Sequence, residues 1–398
     1  MQTSTDRFLQ KQDDCLHNGN IGLFTNQTSY HFASSKYLME ILSQRGVLSK
    51  VFIPEHGLFS ELQDQEKLNE TTQYQALCPN VEFISLYTDK EENLSPTDFS
   101  NLDAILIDIQ DAGSRYFTYL SNIYYTLRKI HQSKSNVKVY IIDKVNPAGR
   151  QVEGSPLQKE FSSFIGITDI PHRHGLTIGE LCNYFYAQLN ASFSMEVIPM
   201  TEEEFHRSFL IQPSPNFPSS TTAQLYSGTC LFEATTLSEG RGTTRPFEII
   251  GAPFISWQQT KDIINYIENT YPDILKSVHL RALKFIPTFH KHAGEVCTGF
   301  QIHILKKGFH ALMLGVILLH SIQKYCDFSI FREGAYEYGS DKTGLELLLG
   351  DENLISSVSE GFDFQKTTAY LQEKEEAWIA NVAQYLLYDS KLYSVKSY

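Results

Sequence analysis

The stretch 227–254 gathers the residues of this chain best suited to chemistry. Glu233, Glu239 and Glu248 alternate there with Arg241 and Arg245, and Gly228, Gly240, Gly242 and Gly251 punctuate the run. Carboxylates beside guanidinium groups hold polar ligands through charge-assisted hydrogen bonds, and glycines allow the turns that bring them together. A satisfied ion-pair loop would use the same residue types, but a surface loop needs no such density of paired charge. The pattern points to a catalytic wall. It is not a nucleotide fingerprint, because Gly240-Arg241-Gly242 lacks a third glycine and no Gly-Lys-Ser/Thr follows.

A second set of reactive side chains sits at the ends of apolar runs. Strands are expected over Ile21–Thr25, Leu48–Ile53, Val81–Leu86, Ala104–Ile109 and Val137–Ile142, with helices over Ser34–Gln44 and Tyr116–Ile130 between them. Near-continuous apolar strands alternating with helices read as a parallel sheet covered on both faces. The runs end in Asn26, Glu55, Asp111, Asp143 and Asn146, and open α/β sheets bind ligands outside their carboxyl ends. Glu55, followed at once by His56 and Gly57, is therefore a candidate catalytic carboxyl, with Asp111 in reserve. Asp111 to Arg115 forms a tight turn into a helix whose N-terminus could take an anion.

The rest of the chain must complete this edge. Thr177 and Glu180 form a capping box for an apolar helix to about Leu189, which makes Glu180 structural. His172 and His174 are spaced like a metal pair on a strand, but two histidines do not make a zinc site. Arg173 and His174 read better as ligand contacts. The rigid Pro213-Ser-Pro-Asn216 segment leads toward the site, with Asn216 as a contact. Beyond Phe254 a helix over Thr260–Tyr271, strands near Leu280–Ile286 and Val296–Ile304 and a helix over Phe309–Tyr325 give an α+β pattern. His290 and His292 read as hydrogen-bonding loop residues, and the tail around Glu373–Glu376 as an amphipathic helix with a solvated face.

With 398 residues, 42% of them hydrophobic, the chain should hold two domains, divided as 1–200 and 201–398. A net charge of −13 argues against a nucleic-acid partner. The six scattered cysteines fit reduced thiols, and no stretch has the length of a leader or a membrane span. A soluble, cytoplasmic protein is expected.

In chain order, Leu23-Phe-Thr-Asn26, Pro54-Glu-His-Gly57, Asp108-Ile-Gln-Asp111 with Gly113 and Arg115-Tyr-Phe-Thr-Tyr119, Arg173-His-Gly175, Pro213-Ser-Pro-Asn216 and Leu237 to Pro246 recur together. In this order they resemble the exo-β-N-acetylmuramidases of glycoside hydrolase family 171, from about residue 20 to 305. Ser60, Ala234 and Lys144-Val145 depart from the family's usual glycine, glycine and Arg-Pro. The resemblance implies a Rossmann-like α/β domain packed on a smaller α+β domain, with the site in the cleft between them. It also implies removal of N-acetylmuramic acid from the non-reducing end of a muramic acid-containing disaccharide or muropeptide. No cofactor is expected, and no metal, because no histidine–carboxylate set has catalytic-zinc spacing and glycoside hydrolysis needs only carboxyl groups.

Glycoside cleavage needs one carboxyl to protonate the leaving oxygen and another to stabilise the sugar cation or activate water. Glu55 and Glu239 come from the two halves, and Arg241, Arg245 or Arg173 could hold the lactyl carboxylate. Asn26, His56, Arg115, His174 and Asn216 complete the expected contacts. Two other readings are an inactive muropeptide-binding protein and a nucleotide- or phosphate-dependent transferase.

Overall fold

The computed structural model describes residues 3–63, 66, 68, 71–88, 94–134, 136–334, 336, 341–359 and 361–395. Apolar runs in the first half form six strands: β1 (Ile21–Thr25), β2 (Leu48–Ile53), β3 (Glu82–Ser85), β4 (Ala104–Asp108), β5 (Lys138–Ile142) and β6 (Met195–Ile198). All neighbours pair in parallel, in the order β3-β2-β1-β4-β5-β6. Side chains alternate across the pleat. Leu23, Val51, Leu106 and Tyr140 enter one apolar cluster, while Phe24, Phe52, Ile107 and Ile141 enter another on the opposite face. Both faces are buried, as continuous apolar strands require. The strand order reverses at β1, so the crevice expected for a ligand opens beside β1 and β4.

Five of these strands match the apolar runs. β6 was not expected: Met-Glu-Val-Ile is short, partly polar and half-buried at the sheet edge. Helix α1 (Leu38–Gln44) begins later than its periodicity suggests, because Tyr30–His31 pairs antiparallel with Lys36–Tyr37 first. Helix α2 (Tyr119–Ser133) also starts late, after a turn in which the Phe117 amide donates to the Ser114 carbonyl. The Thr177–Glu180 capping box is present at α3 (Ile178–Gln188), and Glu180 also takes both terminal guanidinium nitrogens of Arg150.

The second half contains α4 (Ser220–Thr229), β7 (Ile249–Ala252), α5 (Trp257–Thr270), β8 (Val278–Phe285), β9 (Cys297–Ile304), α6 (Ala311–Lys324) and α7 (Phe364–Val382). Its antiparallel sheet runs β8-β9-β7. β7 was missed, because four residues inside a charged, glycine-rich stretch carry little periodic signal. Helices α4 and α6 touch backbone to backbone: a Cβ on Gly228 would lie 1.8 Å from the Ala311 carbonyl oxygen. Only glycine permits that approach.

One apolar cluster runs from Phe24 on the first sheet to Leu392 near the C-terminus, so the halves share a core. The expected solvated face of the tail helix needs one correction. Glu375 is fully buried and accepts from His310 Nε2 at 2.7 Å and the Gly154 amide at 2.8 Å. None of the five described cysteine side chains (78, 182, 230, 297 and 326) is in a disulfide. No helix among the described residues is long and apolar enough to cross a membrane.

Candidate active site

Among the described residues, three cavities with room for a water compete for the role, and the carboxyl groups in their walls decide between them. A groove of ≈ 410 Å³ has five cationic side chains (Arg150, Arg173, Arg207, Lys307 and Lys391) and no carboxylate among its described lining residues. Its described lining offers no carboxyl group for a glycosidase pair. A second, of ≈ 330 Å³, includes Asp6, Asp143 and Glu204. Each of these is occupied as a cap: Asp6 by Thr3, Glu204 by Thr201 and Ser4, Asp143 by Thr177, the Gly179 amide and Tyr388.

The third cavity is small, ≈ 40 Å³, and lies where the halves meet. Glu55 and Glu233 both line it, with His56, Tyr116, Thr118, Ser214, Asn216, Tyr226, Arg241 and Tyr336. Glu55 follows the carboxyl end of β2 and accepts from Thr118 Oγ1 at 2.7 Å, just before α2. His56 adopts φ +75°, a costly region for a residue with a Cβ, which turns the chain back toward the sheet edge. Its Nδ1 lies 3.2 Å from the Leu62 carbonyl. Asn216, held by the proline segment, donates to Gln63 Oε1 at 3.1 Å. Ser60, where the family's usual glycine is missing, sits at φ +55° and still packs its hydroxyl against the Pro213 carbonyl.

Glu233 lies in a 3-10 turn, Cys230–Ala234, that continues α4. It ion-pairs with Arg241 Nη1 at 2.9 Å and accepts from the Tyr336 hydroxyl. The same Nη1 is 3.3 Å from Glu239, and the guanidinium lies 4.9 Å from the centre of the Phe247 ring. Glu239 is fully buried behind Arg241 and is not part of the cavity wall. Burial pushes its pKa up, but Lys291 at 2.9 Å, His290 at 3.1 Å and Arg241 outweigh this and hold it well below the carboxylate range.

The structure thus brings Glu55, His56, Asn216 and Arg241 together and leaves the other sequence candidates elsewhere. Asp111 is buried against His174 Nε2 at 3.3 Å and accepts from the Gly113 amide. Asn26 bridges Tyr119, Thr28 and the Pro213 carbonyl beneath the site. Arg115 is buried and donates to the carbonyls of Ser155, Ile170, Leu348 and Leu349, fastening the first half to the second. Arg173 pairs with Glu153 at 2.7 Å on the far groove. Arg245 is half-exposed, 3.7 Å from Glu248, outside the cavity wall.

Sequence reasoning did not select Glu233, Tyr336 or Lys291. Glu233 stands in the same charged stretch as Glu239, and its position at the end of an apolar run, Cys230-Leu-Phe, was the available signal. Nothing local marks Tyr336 or Lys291.

Comparison with known proteins bears on this arrangement. Residues 21–221 match the model of the N-terminal part of the exo-β-N-acetylmuramidase NamZ, and residues 224–388 match its C-terminal part. The chain is 32% identical over 384 residues to the peptidoglycan β-N-acetylmuramidase NamZ of Bacillus subtilis (strain 168), covering 92% of this chain and 90% of that protein. The chain belongs to the exo-β-N-acetylmuramidase NamZ family. Two crystal structures of DUF1343 family proteins from Bacteroides fragilis share the fold. One has a TM-score of 0.80 at 20% identity, the other 0.73 at 22%; each comparison covers 98% of this chain and 99% of the other. In this chain the cavity at the meeting of the two matched parts is lined by Glu55 from the first and Glu233 from the second.

Proposed function

We propose that this chain is an exo-acting β-N-acetylmuramidase that hydrolyses N-acetylmuramic acid from the non-reducing end of peptidoglycan fragments, with Glu55 and Glu233 as its working pair. One observation carries the assignment of roles: carboxyl groups from the two halves face one polar cavity, and there Glu233 ion-pairs with Arg241 Nη1 at 2.9 Å. An adjacent cation favours the ionised form of a carboxylate. Glu233 is therefore the anion that stabilises positive charge at the sugar's C1. Glu55 gives its proton to the glycosidic oxygen as the C1–O bond breaks. Water then adds at C1, and the proton it releases restores the acid.

A muramic acid ring does not fit in ≈ 40 Å³, a volume for one or two waters, so wall side chains shift when it enters. The lactyl carboxylate needs a partner once it leaves water, and Arg241 is the guanidinium in the wall. The activity is tested with a chromogenic β-N-acetylmuraminide. Glu55→Gln and Glu233→Gln should each fold normally and lose about 10²-fold or more in kcat, the scale of a lost acid/base group. Near wild-type turnover by a folded variant would remove that residue from the mechanism.

A further inference from the structure

Lys291 lies in the loop between β8 and β9 and is not among the residues lining the Glu55–Glu233 cavity. Its ammonium nonetheless bonds to the turn that carries Glu233 and to Glu239 behind Arg241. Nζ donates to Glu239 Oε2 at 2.9 Å, to the Phe232 carbonyl at 2.9 Å and to the Leu237 carbonyl at 3.0 Å, with the Glu233 carbonyl at 3.3 Å. An ammonium has three hydrogens, so the shorter three contacts use them and the Glu233 carbonyl shares one. Phe232 and Glu233 belong to the turn that holds the Glu233 carboxylate in the cavity.

The loop is fastened to the same wall. Thr288 donates from its amide and its hydroxyl to the Gly242 carbonyl, both at 2.9 Å. Gly242 adopts φ +78°, and a Cβ there would lie 2.7 Å from the Phe289 carbonyl oxygen. Glu233 and Glu239 share one nitrogen, Arg241 Nη1, at 2.9 and 3.3 Å. Both draw on its two hydrogens, so the guanidinium's place between them is a balance. A second cation on Glu239 leaves Arg241 to Glu233.

We infer that Lys291 is a positioning residue of the reaction: it fixes the turn bearing Glu233 and, through Glu239, keeps Arg241 on the Glu233 carboxylate. This rests on the role proposed for Glu233. Among the described residues the groups facing Glu233 include Arg241 and Tyr336, with Tyr116, Tyr226, Glu55 and His56 in the same wall. Those facing Glu239 are Lys291, His290 and Arg241.

The test is the pH–rate profile of four variants on the chromogenic muraminide. Glu233 works ionised, so its protonation sets the acid limb. Lys291→Met removes a cation and turns Glu239 toward Arg241. It should lower kcat by about 10²-fold, the scale of a misplaced reacting group. It should also move the acid limb up by about one pH unit. Lys291→Arg, which keeps the charge, should return the limb to its wild-type position. Glu239→Gln removes the competitor, so the limb should move down.

A lysine that only stabilised the fold would reduce the active fraction without moving the limb. The inference is overturned if folded Lys291→Met keeps the wild-type limb, or if Glu239→Gln leaves it unmoved or raises it. Should Lys291→Met not fold, Glu239→Gln decides alone. Glu233→Gln separates the two readings. Full turnover there removes Glu233 and this inference with it, whereas lost turnover with unmoved limbs in the other variants removes Lys291 only.

Discussion

At the scale of single residues, two arginines from one sequence stretch have different surroundings, and that difference is testable. Arg241 is buried in the cavity wall between two carboxylates, while Arg245 stands half in solvent at 3.7 Å from Glu248. A charged hydrogen bond to the lactyl group is worth roughly 1.5–3 kcal/mol, so Arg241→Lys should lower selectivity for muramic acid over an N-acetylglucosamine analogue about tenfold or more. Arg245→Lys should leave that ratio unchanged. Kinetics on both glycosides decide it; equal losses on the two substrates in Arg241→Lys would make this arginine a holder of Glu233 alone. The place of Glu55 at the cavity was legible from sequence because a strand end with a following His-Gly has a fixed place in a parallel sheet. The place of Glu233, which we propose as its partner, was not. Glu233 and Glu239 stand six residues apart across an irregular turn, and only the fold shows which one Arg241 and Lys291 cover.

At the scale of elements, the strands that cross the core were readable and the short ones were not. β1 and β4 are buried along their whole length and are apolar for that reason. β6 at an edge and β7 inside the charged stretch are four residues each, held by their neighbours more than by their own pattern. The Glu239 loop and the Lys291 loop are joined in the same way, by a contact between distant segments, and this one has a pH signature. Glu239's folded pKa is depressed. Its contribution to stability is therefore present above the unfolded value of about 4.3 and is lost as pH falls through the folded value. Urea midpoints measured from pH 7 downward should fall more steeply for the wild type than for Glu239→Gln, which carries no proton to bind there. Parallel curves would mean that the Lys291–Glu239 contact does not contribute to stability.

At the scale of the whole molecule, the question is whether the two matched parts behave as separate bodies. Chains of this size often unfold in steps, each domain losing its own core. Several contacts here oppose that. The apolar cluster is continuous from Phe24 to Leu392. Arg115, before α2, donates to the last carbonyls of the helix Gly344–Leu349. Glu153, fully buried, accepts from Arg173 at 2.7 Å, from Ser227 on α4 at 2.8 Å and from the Leu312 amide on α6 at 3.0 Å. Separating the halves would strip each of these groups of partners in a dry interior, at about 1–3 kcal/mol for each unsatisfied group. A half-unfolded state is thus costly, and unfolding should be a single transition. The two tryptophans allow a direct check. Trp257 is half-exposed, while Trp378 on α7 is buried, donating to the His174 carbonyl at 3.0 Å and packing edge-on to Tyr184 at 5.0 Å. In Trp257→Phe, Trp378 fluorescence reports the contact between the halves, and far-ultraviolet circular dichroism reports all the helices. The two urea curves should coincide in midpoint and slope. A fluorescence transition at lower urea than the dichroism transition would show that the halves part before they unfold, and that these contacts are too weak to join them.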